Sequence, residues 1–443
     1  MLKAGAAQKD ITPDKPVFLA GYPHVERMSE GVHDPLLATA VYLENLGRAA
    51  LVISLDLLFI GINTARELRR RIAVALNIPE SAVFASCTHT HSGPLTADIL
   101  AFKHDPVVPE VNGQYVESVI EKAVSAALAA KQSSVNAEMA WTSACVDGVG
   151  CNRHSPESAR DPEVGILAIR GIESGRMLSL SLIYSMHPTV LHEDSKLISG
   201  DFPAFTRQVL QDMFGSGLIV TYHMGPAGNQ SPRYHVKSQT FSEAERLGRR
   251  LGQFIIDGIK LIEQERYESN PIICGLLKTI EPVPVKISSE KDAAILLEKA
   301  REEYTRLKRN NSGHGPVRTA ECAVFGAEET AFLAQCSNDG RLEKYFKKYE
   351  NCDVQTLRIG DTCLIGLPGE LFVEYSLEIK RRVGIRSFVV SLVNGDLQGY
   401  IVTPEASAKG GYEAANALFA PETGQRMINA ALDSLAAGST LER

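Results

Sequence analysis

The stretch Ala49-Ala50-Leu51-Val52-Ile53-Ser54-Leu55-Asp56 decides the fold, together with the helix and the strand that follow it. Its unbroken apolar run predicts a buried strand. The next residues predict a helix, because Leu68, Ile72 and Leu76 share one face. A second buried strand is expected at Ser81-Ala82-Val83-Phe84-Ala85-Ser86. This strand–helix–strand order predicts parallel neighbours in a sheet that is covered by helices.

The same alternation continues along the chain and predicts an α/β protein with mixed, largely helix-covered sheets. Further helices are expected at about 115–130, 205–213, 242–261 and 425–435. Further strands are expected at about 138–146, 165–169, 178–186 and 218–222. No proline- or serine-rich linker divides the sequence, so residues 1–443 are expected to form one large domain.

The segment from Ser288 to Tyr349 differs from the rest in composition. It is rich in Glu, Lys and Arg, and helical spacing is interrupted near residues 310–313. We therefore expect a helical insertion over residues 288–349. Two interpretations stay open, a lid over a functional site and a solvated helical hairpin without a functional role.

Composition and charge restrict the class of protein. The chain has 44% hydrophobic and 22% charged residues, which is typical of a globular domain. Its net charge of −7, with mixed signs and no basic stripe, argues against a nucleic-acid partner. The first residues lack the apolar core of a signal peptide, and no apolar run reaches the roughly 20 residues of a membrane span. We therefore expect a cytoplasmic protein without a transmembrane segment, whose eight cysteines are buried and reduced.

Two histidines one residue apart are the most informative polar feature. They lie in Thr88-His89-Thr90-His91-Ser92-Gly93-Pro94, directly after the second predicted strand. Because side chains alternate along an extended chain, both imidazoles are expected on one side, near the carboxyl end of the strand. Two such nitrogens suit a zinc ion. Two hydrogen-bonded histidines on a loop are the alternative interpretation.

Other polar residues also follow predicted strands. His187, in Ser185-Met186-His187-Pro188, is a third candidate ligand or a satisfied core histidine. Asp201 precedes a helix, where it would cap the helix, orient a ligating histidine, or do both.

Three later motifs supply further candidates. The turn-rich loop 225–233 would direct the hydroxyl of Ser231 into a cleft, although it is not a Gly-x-Ser-x-Gly elbow. Glu370 follows Pro368-Gly369, where a carboxylate by itself most simply favours a helix dipole. Tyr400 and Tyr412 supply phenol groups or are simply packed.

In their order, these motifs resemble the neutral/alkaline non-lysosomal ceramidases. The motifs are Thr88–Pro94, Asn152-Arg153, His187, Ala227-Gly228-x-x-Ser231-Pro232, Pro368-Gly369-Glu370, Tyr400-x-x-Thr403-Pro404 and Tyr412-Glu413. The opening also fits, through Ala7-x-x-Asp10-Ile11-Thr12-Pro13, Gly21-Tyr22 and Gly31–Leu36. The resemblance runs from about residue 3 to residue 436.

This resemblance implies a zinc site and a substrate pocket. The implied zinc ligands are His89, His187, Glu370 and Tyr400. The implied pocket residues near the scissile amide are His91, Arg153, Ser231 and Tyr412. His91 would pass protons and Tyr412 would stabilise developing oxyanion charge. Ser231 would either contact a substrate hydroxyl or act as the nucleophile.

Several departures from the family bear on the substrate. Asn229-Gln230 replaces an Asp-Val pair, Leu95-Thr96 replaces glycines, and we expect neither an export signal nor the additional β-rich domain of the secreted enzymes. The sequence thus predicts a cytoplasmic zinc-dependent hydrolase of a linear amide, either an N-acyl sphingoid base or a smaller N-acyl compound. The alternatives are a zinc-dependent esterase or carbohydrate deacetylase and a non-catalytic homologue that binds a metal or ligand.

Overall fold

The structure is a computed structural model that describes residues 1–22, 25–100, 110–263 and 266–440. Its strands are β1 (Lys3–Asp10), β2 (Gly31–Val32), β3 (Leu37–Asn45), β4 (Arg48–Leu55), β5 (Val83–Cys87), β6 (Val135–Cys145), β7 (Cys151–Asn152), β8 (Glu163–Gly171), β9 (Met177–Tyr184), β10 (Leu197–Ile198), β11 (Ile219–Met224), β12 (Gln230–Ser231), β13 (Ile273–Ile280), β14 (Cys352–Ile359), β15 (Thr362–Gly366), β16 (Glu370–Leu371), β17 (Arg386–Val390) and β18 (Tyr400–Ile401). Its helices are α1 (Ile62–Leu76), α2 (Gly113–Gln132), α3 (Phe202–Phe214), α4 (Phe241–Lys260), α5 (Glu290–Arg309), α6 (His314–Asn338), α7 (Arg341–Phe346), α8 (Val373–Arg382), α9 (Pro404–Lys409), α10 (Tyr412–Ala415) and α11 (Pro421–Thr440).

Two sheets organise the described residues. The large sheet has eight strands in the order β11-β9-β8-β6-β1-β3-β4-β5, and the small one has the order β13-β14-β15-β17. Both are mixed. In the large sheet β4 pairs parallel with β5 and antiparallel with β3, and in the small sheet β15 pairs parallel with β17 whereas β13 pairs antiparallel with β14. Strand β9 also pairs parallel with β11. The predicted parallel pairing across α1 and the predicted mixed α/β class are therefore confirmed.

The two sheets pack face to face, and helices cover their outer faces. In β4, Leu51 packs on the helical side with α1 and α2, while Val52 points to the inner core between the sheets. Trp141 and Phe388 meet in that inner core, with ring centroids 5.5 Å apart. Helices α3 and α4 cover the other half of the large sheet, and α8 and α11 cover the small sheet. The result is a four-layer α/β/β/α arrangement.

Three helices, α5 to α7, lie between β13 and β14, which pair with each other in antiparallel register. They fall within the predicted insertion at residues 288–349. Helix α5 packs along α6, and α6 also contacts α10. The insertion therefore reaches the part of the molecule that carries Tyr412.

Two expectations about solvent and membrane can be compared with the structure. The prediction that all eight cysteines are buried is wrong for three of them. Cys145 is exposed and Cys274 and Cys322 are half-buried, while the other five are buried. Among the described residues, no helix combines the length and the apolar character needed to cross a membrane.

Candidate metal centre and active site

His89 lies just beyond the end of β5 and is held by backbone groups. Its N–H donates to the carbonyl of Leu57 at 2.9 Å, and its Nδ1 lies 2.8 Å from the carbonyl oxygen of Leu58. Its φ of 67° places it in the left-handed region, so the extended geometry assumed for residues 89–91 is wrong. The rings of His89 and His91 are nevertheless close, with centroids 5.0 Å apart.

His187 follows β9 and is held in the same way. Its Nδ1 lies 2.6 Å from the carbonyl oxygen of Ala227 and 3.1 Å from that of Gln230. A nitrogen that faces carbonyl oxygens must carry the ring proton. The Nε2 atoms of both His89 and His187 are therefore free to act as electron-pair donors. Carbonyl partners of this kind commonly orient metal-ligating histidines.

A carboxylate completes the cluster. The Nε2 atoms of His89 and His187 are 3.1 Å apart, and Glu370 Oε2 lies 3.3 Å and 3.2 Å from them. Both imidazole side chains are only 1% exposed. Ligand atoms of one tetrahedral zinc ion lie roughly 3.3 Å apart, because each bond is about 2.0–2.1 Å long. The spacing of the three atoms therefore fits a metal ion.

The electrostatics of the cluster also fit a cation. Burial raises the pKa of Glu370, but His89 and His187 outweigh this effect and hold that pKa well below its usual range. Burial lowers the pKa of His187, and the neighbouring Glu370 only partly offsets this effect. Burial also lowers the pKa of His91. The carboxylate of Glu370 is thus ionised at neutral pH, and such a buried negative charge requires a positive partner.

Tyr400 is brought beside Glu370 by backbone pairing. Strands β16 and β18 are parallel, with Glu370 opposite Tyr400. Gly369 permits the turn into β16, since its φ is 82° and a Cβ there would lie 2.9 Å from the Cβ of Leu397. Burial, and then the charge of Glu370, raises the pKa of Tyr400. The structure thus gathers His89, His187 and Glu370 in contact and places Tyr400 alongside, while their role as ligands stays a prediction.

His91 borders the same space from another side. Its Nδ1 lies 3.0 Å from the carbonyl oxygen of Gly21, and its buried Nε2 has no hydrogen-bond partner among the described residues. One nitrogen from each of His89, His91 and His187 lies within 4.8 Å of the others, so these three also form a possible metal group. Glu370 Oε2 lies within 3.3 Å of the Nε2 atoms of both His89 and His187. His91 keeps the role of a proton carrier in our interpretation.

Arg153 is fixed against the tyrosines. Its Nε donates to Glu413 Oε1 at 2.7 Å, and its guanidinium lies 5.2 Å from the ring centroid of Tyr400. His154 Nε2 lies 3.0 Å from the same carboxylate oxygen. Although burial raises the pKa of Glu413, Arg153 and His154 lower it to about 2. The buried Nη2 of Arg153 has no acceptor among the described residues, so it is available to a substrate oxygen.

Tyr412 and Ser231 occupy different surroundings. The ring of Tyr412 lies 6.0 Å from that of Tyr400, and burial raises the pKa of Tyr412 to about 12. Ser231 is buried in β12, where its Oγ accepts from the N–H of Arg233 at 3.3 Å. No described histidine or carboxylate hydrogen-bonds to this hydroxyl, so Ser231 has no base of the kind that activates a nucleophile.

No family model matches the chain. Neutral ceramidase of Pseudomonas aeruginosa is 22% identical over 477 residues, covering 95% of this chain and 69% of that protein. This chain is similar to neutral ceramidase over nearly its whole length. The resemblance that the motifs predict is thereby confirmed.

Solved structures agree with this relationship. The crystal structure of neutral ceramidase from Pseudomonas aeruginosa matches with a TM-score of 0.75 and 19% identity, covering 97% of this chain and 74% of that one. A structure of a ceramidase complex matches with a TM-score of 0.75 and 18% identity over the same shares. At this identity the structures establish a shared fold. This chain therefore has the fold of neutral ceramidase over nearly its whole length.

The structure changes one assignment and adds two residues beside the candidate site. Asp201 caps α3 by accepting from Phe202 N–H, and it also accepts from Leu191 N–H at 2.9 Å. Backbone carbonyls, not Asp201, hold the ring of His187. Sequence reasoning also missed Tyr22 and Arg27 beside His91. The Gly21-Tyr22 pair of the opening motif was the available signal.

Proposed function

We propose that this protein is a zinc-dependent hydrolase of a linear amide, with an N-acyl sphingoid base or a smaller N-acyl compound as substrate. The observation that carries the proposal is the convergence of two unprotonated Nε2 atoms, of His89 and His187, on one oxygen of Glu370. A cation between these three atoms would offset the buried negative charge of Glu370.

The zinc ion would be held by His89, His187, Glu370 and Tyr400. A zinc ion there supplies a Lewis acid for the amide carbonyl and lowers the pKa of a water molecule that it binds. Tyr400 belongs to this set because it lies opposite Glu370 in the β16–β18 pair.

Each pocket residue has a separate role in the proposed reaction. His91 moves a proton through its partnerless Nε2. Tyr412 stays protonated below its pKa of about 12 and donates a hydrogen bond to the developing oxyanion. Arg153 presents Nη2 to a substrate oxygen. Ser231, which lacks a base, contacts the substrate instead of attacking it.

Similarity to neutral ceramidase supports an amide as the scissile bond. The esterase and deacetylase alternatives share the same site chemistry. Comparing the rates of hydrolysis of an amide and an ester with the same acyl group therefore distinguishes these alternatives. The cytoplasmic location stays a prediction from the sequence.

We further propose that the insertion acts as a lid. Arg318 on α6 forms an ion pair of 2.9 Å with Glu193, in the loop that follows His187. A Cβ on Gly326 of α6 would lie 2.9 Å from the Cβ of Ala415 in α10. Helix α6 thus touches both the segment after a candidate ligand and the helix of Tyr412, as expected of a lid.

The test is metal content by mass spectrometry together with fatty-acid release from a fluorescent N-acyl sphingosine. We expect about one zinc ion per chain, as for a single four-ligand site. His89→Ala should lose both the metal and turnover, while His33→Ala, at a half-buried histidine stacked on Phe241, should keep both. Zinc without turnover would redirect the search to smaller amides and esters. A metal-free protein whose activity survives His89→Ala would overturn the proposal.

A further inference from the structure

A fully buried arginine lies beside the candidate site. Arg27 is 0% exposed, and no described carboxylate lies within ion-pair distance of its guanidinium. Burying a charged group without an ion-pair partner is unfavourable. Such a residue therefore requires a structural or functional reason.

The contacts of Arg27 connect three separate segments. Its Nη1 donates to the carbonyl of His91 at 2.8 Å, and its Nε and Nη2 donate to the carbonyl of Ser195 at 3.1 and 2.9 Å. Its guanidinium lies 4.9 Å from the ring centroid of Tyr22. Tyr22 in turn donates its hydroxyl hydrogen to the carbonyl of Leu191 at 2.8 Å. Arg27 thus joins the opening segment, the His-x-His turn and the loop after His187.

His91 lies at the centre of these contacts. Its backbone carbonyl is bound by Arg27, its Nδ1 faces the carbonyl of Gly21, and its ring lies 5.1 Å from that of Tyr22. Tyr22 is itself held by Arg27. Arg27 therefore holds the backbone of His91 directly and supports its ring through Tyr22.

We propose that Arg27 is a positioning residue that aims the Nε2 of His91 at the substrate. Arginine suits this task because its planar fork bonds two carbonyls while its face stacks on an aromatic ring. Lysine has one point charge and cannot make all of these contacts. Arg27 does not touch the substrate and acts only through His91.

The consequence rests on the proposed function, in which the Nε2 of His91 takes up a proton from solvent water and delivers it to the leaving amine. An amine leaves only with a proton, whereas the nitrophenolate of an activated ester leaves without one. Misplacing His91 should therefore slow amide hydrolysis and spare hydrolysis of an activated ester. A general loss of structure would slow both reactions alike.

The experiment compares Arg27→Gln and Arg27→Lys with the wild-type protein on N-acyl sphingosine and on a nitrophenyl ester of the same acyl chain. The control is Arg170→Gln, since Arg170 also stacks on a tyrosine, Tyr267 at 3.6 Å, and pairs with Glu138. We expect Arg27→Gln to lower kcat for the amide by about 10²-fold. Its KM for the amide, its ester kcat and its zinc content should stay within roughly twofold. The amide kcat of Arg27→Lys should lie between those of Arg27→Gln and the wild type, and Arg170→Gln should have the wild-type kcat.

Two activity results overturn the proposal: an equal fall of amide and ester turnover at full zinc content, and an unchanged amide rate in both Arg27 variants. If the wild type cleaves neither substrate, the proposed function fails separately. Histidine NMR then still tests positioning. Broadening of the His91 ring signal in Arg27→Lys supports the proposal, and an unchanged sharp signal overturns it.

Discussion

The candidate metal centre and α5, the first helix of the insertion, are built in opposite ways. The imidazoles of His89 and His187 are 1% exposed and held by backbone carbonyls, whereas Ile295 and Leu296 on α5 are 46% and 47% exposed. In α5 only Ala293 is buried. The difference indicates that the candidate ligands lie in a buried frame fixed by the backbone, whereas α5 lies at the surface. Helices α6 and α7 instead contribute Phe332, Leu333 and Leu342 to the core around the small sheet.

The two regions also differ in how they are held in the fold. Around the centre, left-handed φ values at His89, Leu392 and Asn394 persist because the surrounding packing enforces them. The insertion meets the site through the Arg318–Glu193 ion pair and the close approach of Gly326 to Ala415. Changes at the centre should therefore abolish function, and changes at the insertion should only modulate it.

The largest effect is expected from Glu370→Gln, which removes the negative charge of the centre. Zinc should be lost, and kcat/KM for the amide should fall by at least about 10³-fold, since metal catalysis contributes several kcal/mol. The same substitution at exposed Glu343 on α7 should change neither quantity. Metal analysis and steady-state kinetics measure both. Full activity with bound zinc in Glu370→Gln would remove Glu370 from the ligand set.

Gly21→Ala should have the next largest effect. A Cβ at Gly21 would lie 2.3 Å from His91 Nδ1, and the φ of 109° disfavours any side chain. We expect amide turnover to fall by about 10²-fold, the range of a lost acid–base group.

The matched control is Gly215→Ala, which has φ 108° but no atom within 4 Å of the added Cβ. Thermal unfolding should show a similar strain cost, about 1–3 kcal/mol, in both variants. Equal activities of the two variants would mean that backbone strain, not contact with His91, explains the loss.

A disulfide between Gly326→Cys and Ala415→Cys tests the insertion. The two Cβ positions lie 2.9 Å apart, so a small shift reaches the spacing of about 3.5–4.5 Å that a disulfide needs. If α6 must move for substrate to reach the site, oxidation should lower N-acyl sphingosine turnover by about tenfold or more, and dithiothreitol should restore it. Each single cysteine variant serves as control. Unchanged turnover in the fully oxidised double variant would argue against a lid.

The smallest effect is expected from Glu193→Gln, which breaks the ion pair between the insertion and the loop after His187. Both side chains are partly exposed, at 27% and 28%, so stability should change by only about 0–1 kcal/mol. Arg318 keeps Glu321 as a partner. KM for N-acyl sphingosine should change by less than roughly fivefold, with kcat unaltered. A large fall in kcat would show that the insertion takes part in chemistry.

Local patterns in the sequence predicted much of the sheet and part of the site. The runs at 49–56 and 81–86 match β4 and β5, since burial on both faces leaves continuous apolar stretches. The region 288–349 contains helices α5 to α7, and the helical spacing of its sequence is a local property. Strands β1 and β3 lie near the centre of the large sheet but were not identified.

The order of the motifs predicted that His89, His187 and Glu370 belong to one site. The sequence by itself determined their residue types and their positions after strands. Only the tertiary structure decided how they meet, because His89 and His187 are 98 residues apart and are oriented by carbonyls of other segments. A backbone carbonyl has no signature in the sequence. For the same reason Arg27 was overlooked, since its partners are main-chain oxygens from distant loops. Periodicity is encoded locally, whereas the convergence of these segments arises only when the sheets pack.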